Sequence, residues 1–162
     1  MPKIGRILVP VDFSECSRAA LDYATLLAER MGSTIDVLHV WEPPRFVGPE
    51  FLIRDPGEKG HPLLEAERVQ VESEMAEFLS LAGQQGKVGV RIESGKPFQT
   101  ITRIAGAEDY DLIVMGTHGR SGLPHLLIGS VAEKVVRTAD CPVVTIREPG
   151  GKHAEAGTES TP

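Results

Sequence analysis

The apolar residues of this chain change period repeatedly, from short β-rich runs to longer stretches with three-and-four spacing, and this alternation constrains the fold more than any other feature. Alternating units of this kind build a parallel sheet, because each helix carries the chain back so that the next strand can run the same way. Five strands and four helices can be drawn. Ile7-Leu8-Val9-Pro10-Val11 is almost continuously apolar, as a central parallel strand covered on both faces must be. The other strands are expected at Thr34–Trp41, 88–93, 112–115 and Val143–Ile146, with the alternating 88–93 run at the outside of the sheet.

The helices carry their own punctuation. Ser14 is a good N-cap for a first helix with Ala20, Tyr23, Ala24, Leu27, Ala28 and Met31 on one buried stripe, and Gly32 is its natural stop. A second helix over 63–82 turns Leu64, Val71, Met75, Phe78, Leu79 and Ala82 inward and ends at Gly83. Pro97 suits the first turn of a third helix bearing Phe98, Ile101, Ile104 and Ala105. A fourth spans 130–139, and Pro142 separates it from the last strand.

A length of 162 residues fits one domain, expected over 1–148, followed by a polar tail at 149–162 that is expected to be disordered. With 41% hydrophobic and 25% charged residues the composition is that of an ordinary soluble globular protein. A formal charge of −6 argues against a broad nucleic-acid surface, which needs excess Lys and Arg. The N-terminal apolar run is too short for a signal-peptide core or a membrane span, so no membrane contact and a cytoplasmic location are expected. Cys16 and Cys141 show neither Cys-x-x-Cys nor zinc-ligand spacing and are read as structural. Residues 43–60 hold Pro43, Pro44, Gly48, Pro49, Pro56, Gly57 and Gly60, a composition unfavourable to regular structure. Phe46, Val47, Phe51, Leu52 and Ile53 within the same stretch point to a lid or contact surface, the other reading being a floppy insertion.

After the fourth strand comes Gly116-Thr117-His118-Gly119-Arg120-Ser121-Gly122, and Gly129-Ser130 then opens the fourth helix. Glycines let backbone N–H groups approach a polyanion closely, and a helix start adds unpaired donors and positive dipole potential. Phosphate binding is the natural use. The loop is not a P-loop, which needs Gly-Lys-Ser/Thr, nor a dinucleotide Gly-x-Gly-x-x-Gly fingerprint. What sharpens the signal is the whole constellation: Gly116-x-x-Gly119, nine residues, then Gly129-Ser130, with Pro10-Val11-Asp12 closing the first strand.

That constellation resembles the ATP-binding branch of the universal stress protein family, and the likeness runs over residues 3–147. The resemblance implies an open five-stranded parallel α/β sheet of order 3-2-1-4-5 with helices on both faces. Its switch point would set Asp12 and Gly116 at one crevice. It further implies Gly116, Gly119, Gly129 and Ser130, with the Val131 backbone, on the phosphates of ATP, and Val40 and Met115 beside adenine. Asp12, next to Pro10 and Val11, would meet the ribose or a nucleotide-bound Mg or Mn ion. Ala132 stands where some relatives have a hydroxyl. Arg120 is placed to meet phosphate or solvent, and His118 belongs to the loop through its backbone rather than through acid–base chemistry.

Other readings attach to the same residues. Ser130 with Glu133 forms a Ser-x-x-Glu capping box, and Asp12 could order the turn before the first helix. His39, His61, His125 and His153 have no metal-ligand spacing, and the pairs Glu65/Glu67, Glu72/Glu74 and Glu108/Asp109 are expected to be solvated. The function implied is an ATP-binding stress-response or regulatory module with at most slow hydrolysis. It would act as a homodimer through Val143, Val144, Thr145 and Ile146, with room for an unidentified protein partner. The alternative is a dimeric, partner-binding stress protein that uses no nucleotide. An adenylating enzyme of the related superfamily needs a Ser-Gly-Gly-x-Asp-Ser loop after the first strand, where this chain reads Pro10-Val11-Asp12-Phe13-Ser14.

Overall fold

The computed structural model describes residues 3–42, 52–53, 61–118 and 128–147, with the backbone alone at 52–53 and 61–64. In chain order the elements are β1 (Arg6–Val11), α1 (Glu15–Met31), β2 (Thr34–Trp41), β3 (Leu52–Ile53), β4 (His61–Pro62), α2 (Leu63–Leu81), β5 (Gly89–Ser94), α3 (Pro97–Ala107), β6 (Leu112–Gly116), α4 (Ser130–Thr138) and β7 (Val143–Ile146). Strands β5-β2-β1-β6-β7 form one five-stranded sheet whose pairs are all parallel. This is the expected 3-2-1-4-5 order, with β5, β6 and β7 as the third, fourth and fifth predicted strands.

The sheet is covered on both faces. Ile7, Val9, Val11, Ile35, Val37, Leu112 and Val114 pack with Ala20, Leu21 and Ala24 of α1 and Met75, Phe78 and Leu79 of α2. Leu8, Leu38, Ile113 and Met115 point the other way, onto Ile101, Ile104 and Ala105 of α3 and Ala132 and Val135 of α4. Period-two alternation thus divides each central strand between two cores. Each fully buried Leu or Ile contributes roughly 1.5–3 kcal/mol relative to exposure.

Local signals act as read at several ends. The Ser14 hydroxyl accepts from the Ser17 N–H at 3.2 Å, Gly32 stops α1 at φ 69°, and Pro97 is the first residue of α3. Other expectations need correction. Tyr23 and Met31 are 41% and 43% exposed, because α1 rests on the small row Ala20, Ala24 and Ala28 and turns the adjacent larger row toward its rim. Leu21 is fully buried instead. Leu52–Ile53 is a short strand inside a stretch expected to lack one; it pairs antiparallel with His61–Pro62, two apolar residues finding backbone partners where the chain returns. The remainder of 43–60, and with it the lid reading, lies outside the described residues, as does the tail from 148.

Glu108 is not simply solvated. Its carboxylate pairs with Arg91 and lies 3.9 Å from Arg6, while Arg6 also donates to Asp36 at 3.1 Å and to the Glu108 carbonyl at 2.6 Å. The Tyr110 hydroxyl donates to Asp36 at 2.7 Å, and Asp111 accepts from the N–H groups of Gly5 and Arg6. This network ties together the N-terminal ends of β1, β2, β5 and β6. The opposite, C-terminal ends are left for the site.

Candidate functional site

β1 and β6 are neighbours although about a hundred residues separate them in sequence, because the chain reverses its direction of winding between them. Their pairing covers only Ile7↔Leu112 and Leu8↔Ile113. Pro10, which has no N–H to give a ladder, comes after those pairs, where the strands part. A cleft of about 230 Å³ opens there, as expected at the switch point of an open α/β sheet.

Ten of the sequence-predicted site residues line this one cleft: Pro10, Val11 and Asp12 from the end of β1, Val40 from β2, Met115, Gly116 and His118 from the end of β6, and Gly129, Ser130 and Val131 at the start of α4. Gly119 and Arg120 lie outside the described residues. The lining also includes Ala132, where some relatives have a hydroxyl, and Leu38, Pro97, Ile101, Ser17 and Thr117, which no motif singled out as ligand-facing. Leu38 and Val40 share a face by strand period, so Leu38 could have been found from Val40. Ile101 comes from the inward stripe of α3 and needs the packing of α3 on the sheet to be placed.

The polar end of the cleft is built from backbone. Gly129 is the N-cap of α4 and supplies no side-chain cap; Ser130 is the first helical residue, so the capping-box reading of Ser130 with Glu133 is incorrect. Glu133 instead gives its N–H to the Gly129 carbonyl at 2.9 Å. The Gly129 N–H bonds the Thr117 carbonyl at 2.6 Å and closes the two ends of the loop on each other, and the Thr117 N–H reaches the Ile146 carbonyl of β7 at 2.8 Å. A Cβ on Gly116 would come within 3.0 Å of the Cys16 backbone, and one on Gly129 within 2.9 Å of the Thr117 oxygen.

Side chains support this frame. Thr117, 2% exposed, shares a hydrogen bond of 2.9 Å with His118 Nδ1, and His118 Nε2 is buried with no partner among the described residues. Cys16 is buried and donates to the Ile146 carbonyl at 3.1 Å, in keeping with a structural role. Burial pushes the Cys141 thiol up from its ordinary value, which disfavours the reactive thiolate. Asp12 accepts from both the N–H and the hydroxyl of Ser14, so it orders the turn before α1 as well as lining the cleft. His39 holds the Val11 carbonyl through Nδ1 at 2.8 Å.

Among the described residues no group of three or more His, Cys, Asp or Glu could hold a metal ion by itself, and no helix is long and apolar enough to cross a membrane. Among the described residues the cleft combines apolar side chains, Leu38, Val40, Ile101 and Met115, with the start of α4 and the Asp12 carboxylate.

Known proteins share this arrangement of elements. A universal stress protein of Methanocaldococcus jannaschii is 31% identical over 146 residues, spanning 89% of this chain and 82% of the relative. A universal stress protein solved from Lactobacillus plantarum superposes with a TM-score of 0.68 at 26% identity, covering 91% of this chain and all of that one. Another, solved in complex with cAMP, has a TM-score of 0.64 at 19% identity over 91% of this chain and 99% of that one, a likeness of fold. The family model described as the universal stress protein family matches residues 3–147, and the chain belongs to that family.

Proposed function

We propose that the cleft binds ATP together with a Mg or Mn ion, and that the protein is a stress-response regulatory module whose conformation or association follows nucleotide occupancy. The observation that carries this reading is the two-part wall. Leu38, Val40, Ile101 and Met115 offer an apolar slot suited to a planar base, and the α4 start with the Gly116 and Gly129 backbones faces it as a cradle for phosphate. The fit is supported by the start of α4, where the Gly129 cap brings no side-chain hydrogen bond to the first turn, and by His118 Nε2, which is buried with no partner among the described residues. That a family member of the same fold was solved with cAMP agrees with a nucleotide-sized site.

In this reading Gly116, Gly119, Gly129, Ser130 and the Val131 backbone hold the phosphates, with Arg120 adding charge. Asp12 meets the ribose or the cation, Pro10 and Val11 form the floor beside it, and Val40 and Met115 flank adenine. A bound ATP would offer phosphate oxygens to a cation beside Asp12, and among the described residues no acidic cluster would hold that cation alone. The module binds rather than turns over: residues 116–130 contain no lysine to play the Walker role. Cys16 and Cys141 are unpaired thiols, which fits a reducing cytoplasm.

Mass analysis of small molecules released from freshly purified, denatured protein, with calorimetry of ATP and Mg on the stripped protein, tests the proposal. Co-purified adenine nucleotide, saturable ATP binding and turnover far below ~1 s⁻¹ are expected. Neither nucleotide nor heat of binding would leave a dimeric module that works without nucleotide.

A further inference from the structure

We infer that Phe13 is a positioning residue for Asp12: its ring, packed on His39 and Phe78, holds the turn that presents Asp12 to the cleft. Phe13 has φ 64°, in the left-handed region. A bulky residue rarely adopts it, and such a conformation persists only where its surroundings over-determine it. Here the surroundings are aromatic. The Phe13 ring stacks on the His39 imidazole with centroids 4.3 Å apart and planes 20° apart, and it meets Phe78 of α2 at 5.7 Å.

His39 is itself fixed by its bond to the Val11 carbonyl, two residues before Phe13, so the support loops back onto the strand end it steadies. Across the left-handed residue, Ser14 returns its N–H to Asp12 Oδ1 at 3.1 Å and then caps α1 through its hydroxyl. Glycine would adopt this φ without strain, but it would bring no anchor. The Phe13 side chain therefore converts burial against α2 into a defined place for a carboxylate on the other side of the sheet's C-terminal edge.

The inference rests on Asp12 meeting bound nucleotide as proposed above, and the experiment separates the two. ATP with Mg is titrated into wild type and into Phe13→Tyr, Phe13→Gly, Phe13→Ala, Asp12→Ala and the Asp12→Ala/Phe13→Ala double variant, and exchange of the Ser14 amide is followed by NMR without ligand. Phe13→Tyr keeps the ring and should bind within about twofold of wild type, whereas Phe13→Ala should bind about tenfold more weakly, with Phe13→Gly between them. In the Asp12→Ala background Phe13→Ala should add no further loss, because the effect acts through Asp12. The Ser14 amide should exchange faster in Phe13→Ala and not in Phe13→Tyr. Unchanged ATP affinity in Asp12→Ala would remove Asp12 from the ligand and sink the reading of the site, with exchange alone then deciding whether the ring holds the turn. Equal Ser14 exchange in wild type and Phe13→Ala, fully additive losses, or a Phe13→Gly variant that binds like wild type would overturn the positioning role.

Discussion

A side chain at Gly129 would place its Cβ 2.9 Å from the Thr117 carbonyl oxygen, although the backbone there, at φ −59° and ψ 152°, suits any residue. The glycine is required by a neighbour, not by its own torsions. The sequence reading gives this glycine a role only in the approach of backbone to phosphate. The structure changes that expectation, because the crowded atom is backbone and belongs to the 2.6 Å bond that closes the loop. Gly129→Ala should destabilise the protein by about 1–3 kcal/mol, as overpacking does. Its thermal midpoint should fall by roughly 2–4 °C for each kcal/mol, read by differential scanning calorimetry. A midpoint equal to wild type would mean that the Thr117 carbonyl yields freely, and only then could lost binding in Gly129 variants be assigned to phosphate contact alone.

At the scale of elements, the ends of β1, β2, β5 and β6 opposite the cleft are joined by charge. The Arg91 guanidinium bonded to Glu108 holds that carboxyl below its ordinary value of 4.5, helped by the charges of Arg91 and Arg6. The Arg6 and Gly5 N–H groups do the same for Asp111, below 3.8. Lowered folded values mean that the unfolded chain takes up protons first as the pH falls. The contribution is fully present above about pH 4.5 and is lost as the pH drops through the lowered folded values. Both groups face solvent, so the effect is screened and modest. Glu108→Gln should therefore be less stable than wild type at pH 7, with the gap narrowing on acidification, as followed by urea unfolding at several pH values. A gap that stays constant down to pH 3 would show that the Arg91 pair does not distinguish folded from unfolded chain. The pairing was illegible in the sequence because Arg6, Asp36, Arg91 and Glu108 are brought together only by strand order.

For the whole molecule, β7 is the natural surface for association. It is an edge strand, its four residues are partly exposed, and neither Lys nor Pro blunts it within Val143–Ile146. We propose a twofold homodimer in which this strand pairs with its copy. The carbonyls of Pro142 and Ile146 turn inward, to the N–H groups of Ile113 and Thr117, so by strand period Val143 and Thr145 turn their backbone groups outward. A proline at 146 would thus damage the monomer's own sheet. Thr145→Pro removes an outward N–H and is the cleaner test. Sedimentation should show a dimeric wild type at micromolar concentration and a largely monomeric Thr145→Pro; a monomeric wild type, or an unaffected dimer in the variant, would reject this interface.

Sequence alone determined what depends on near neighbours. The 2.0 and 3.6 periods placed the strands and helices, Ser14, Gly32 and Pro97 marked helix ends, and the glycine spacing drew attention to the loop after β6. These are local properties, set within a few residues by sterics and hydrogen bonding. Strand order came from family resemblance rather than from any residue read singly. Tertiary structure alone decided which side chains meet: Ile101 and Leu38 in the wall of the cleft, Thr117 under His118, Phe13 on His39 and Phe78, and Arg91 on Glu108. It also turned Tyr23 and Met31 outward and made Gly129, not Ser130, the cap of α4. Such outcomes depend on how close one element can approach another, and that distance is set by the volumes of residues far apart in the chain.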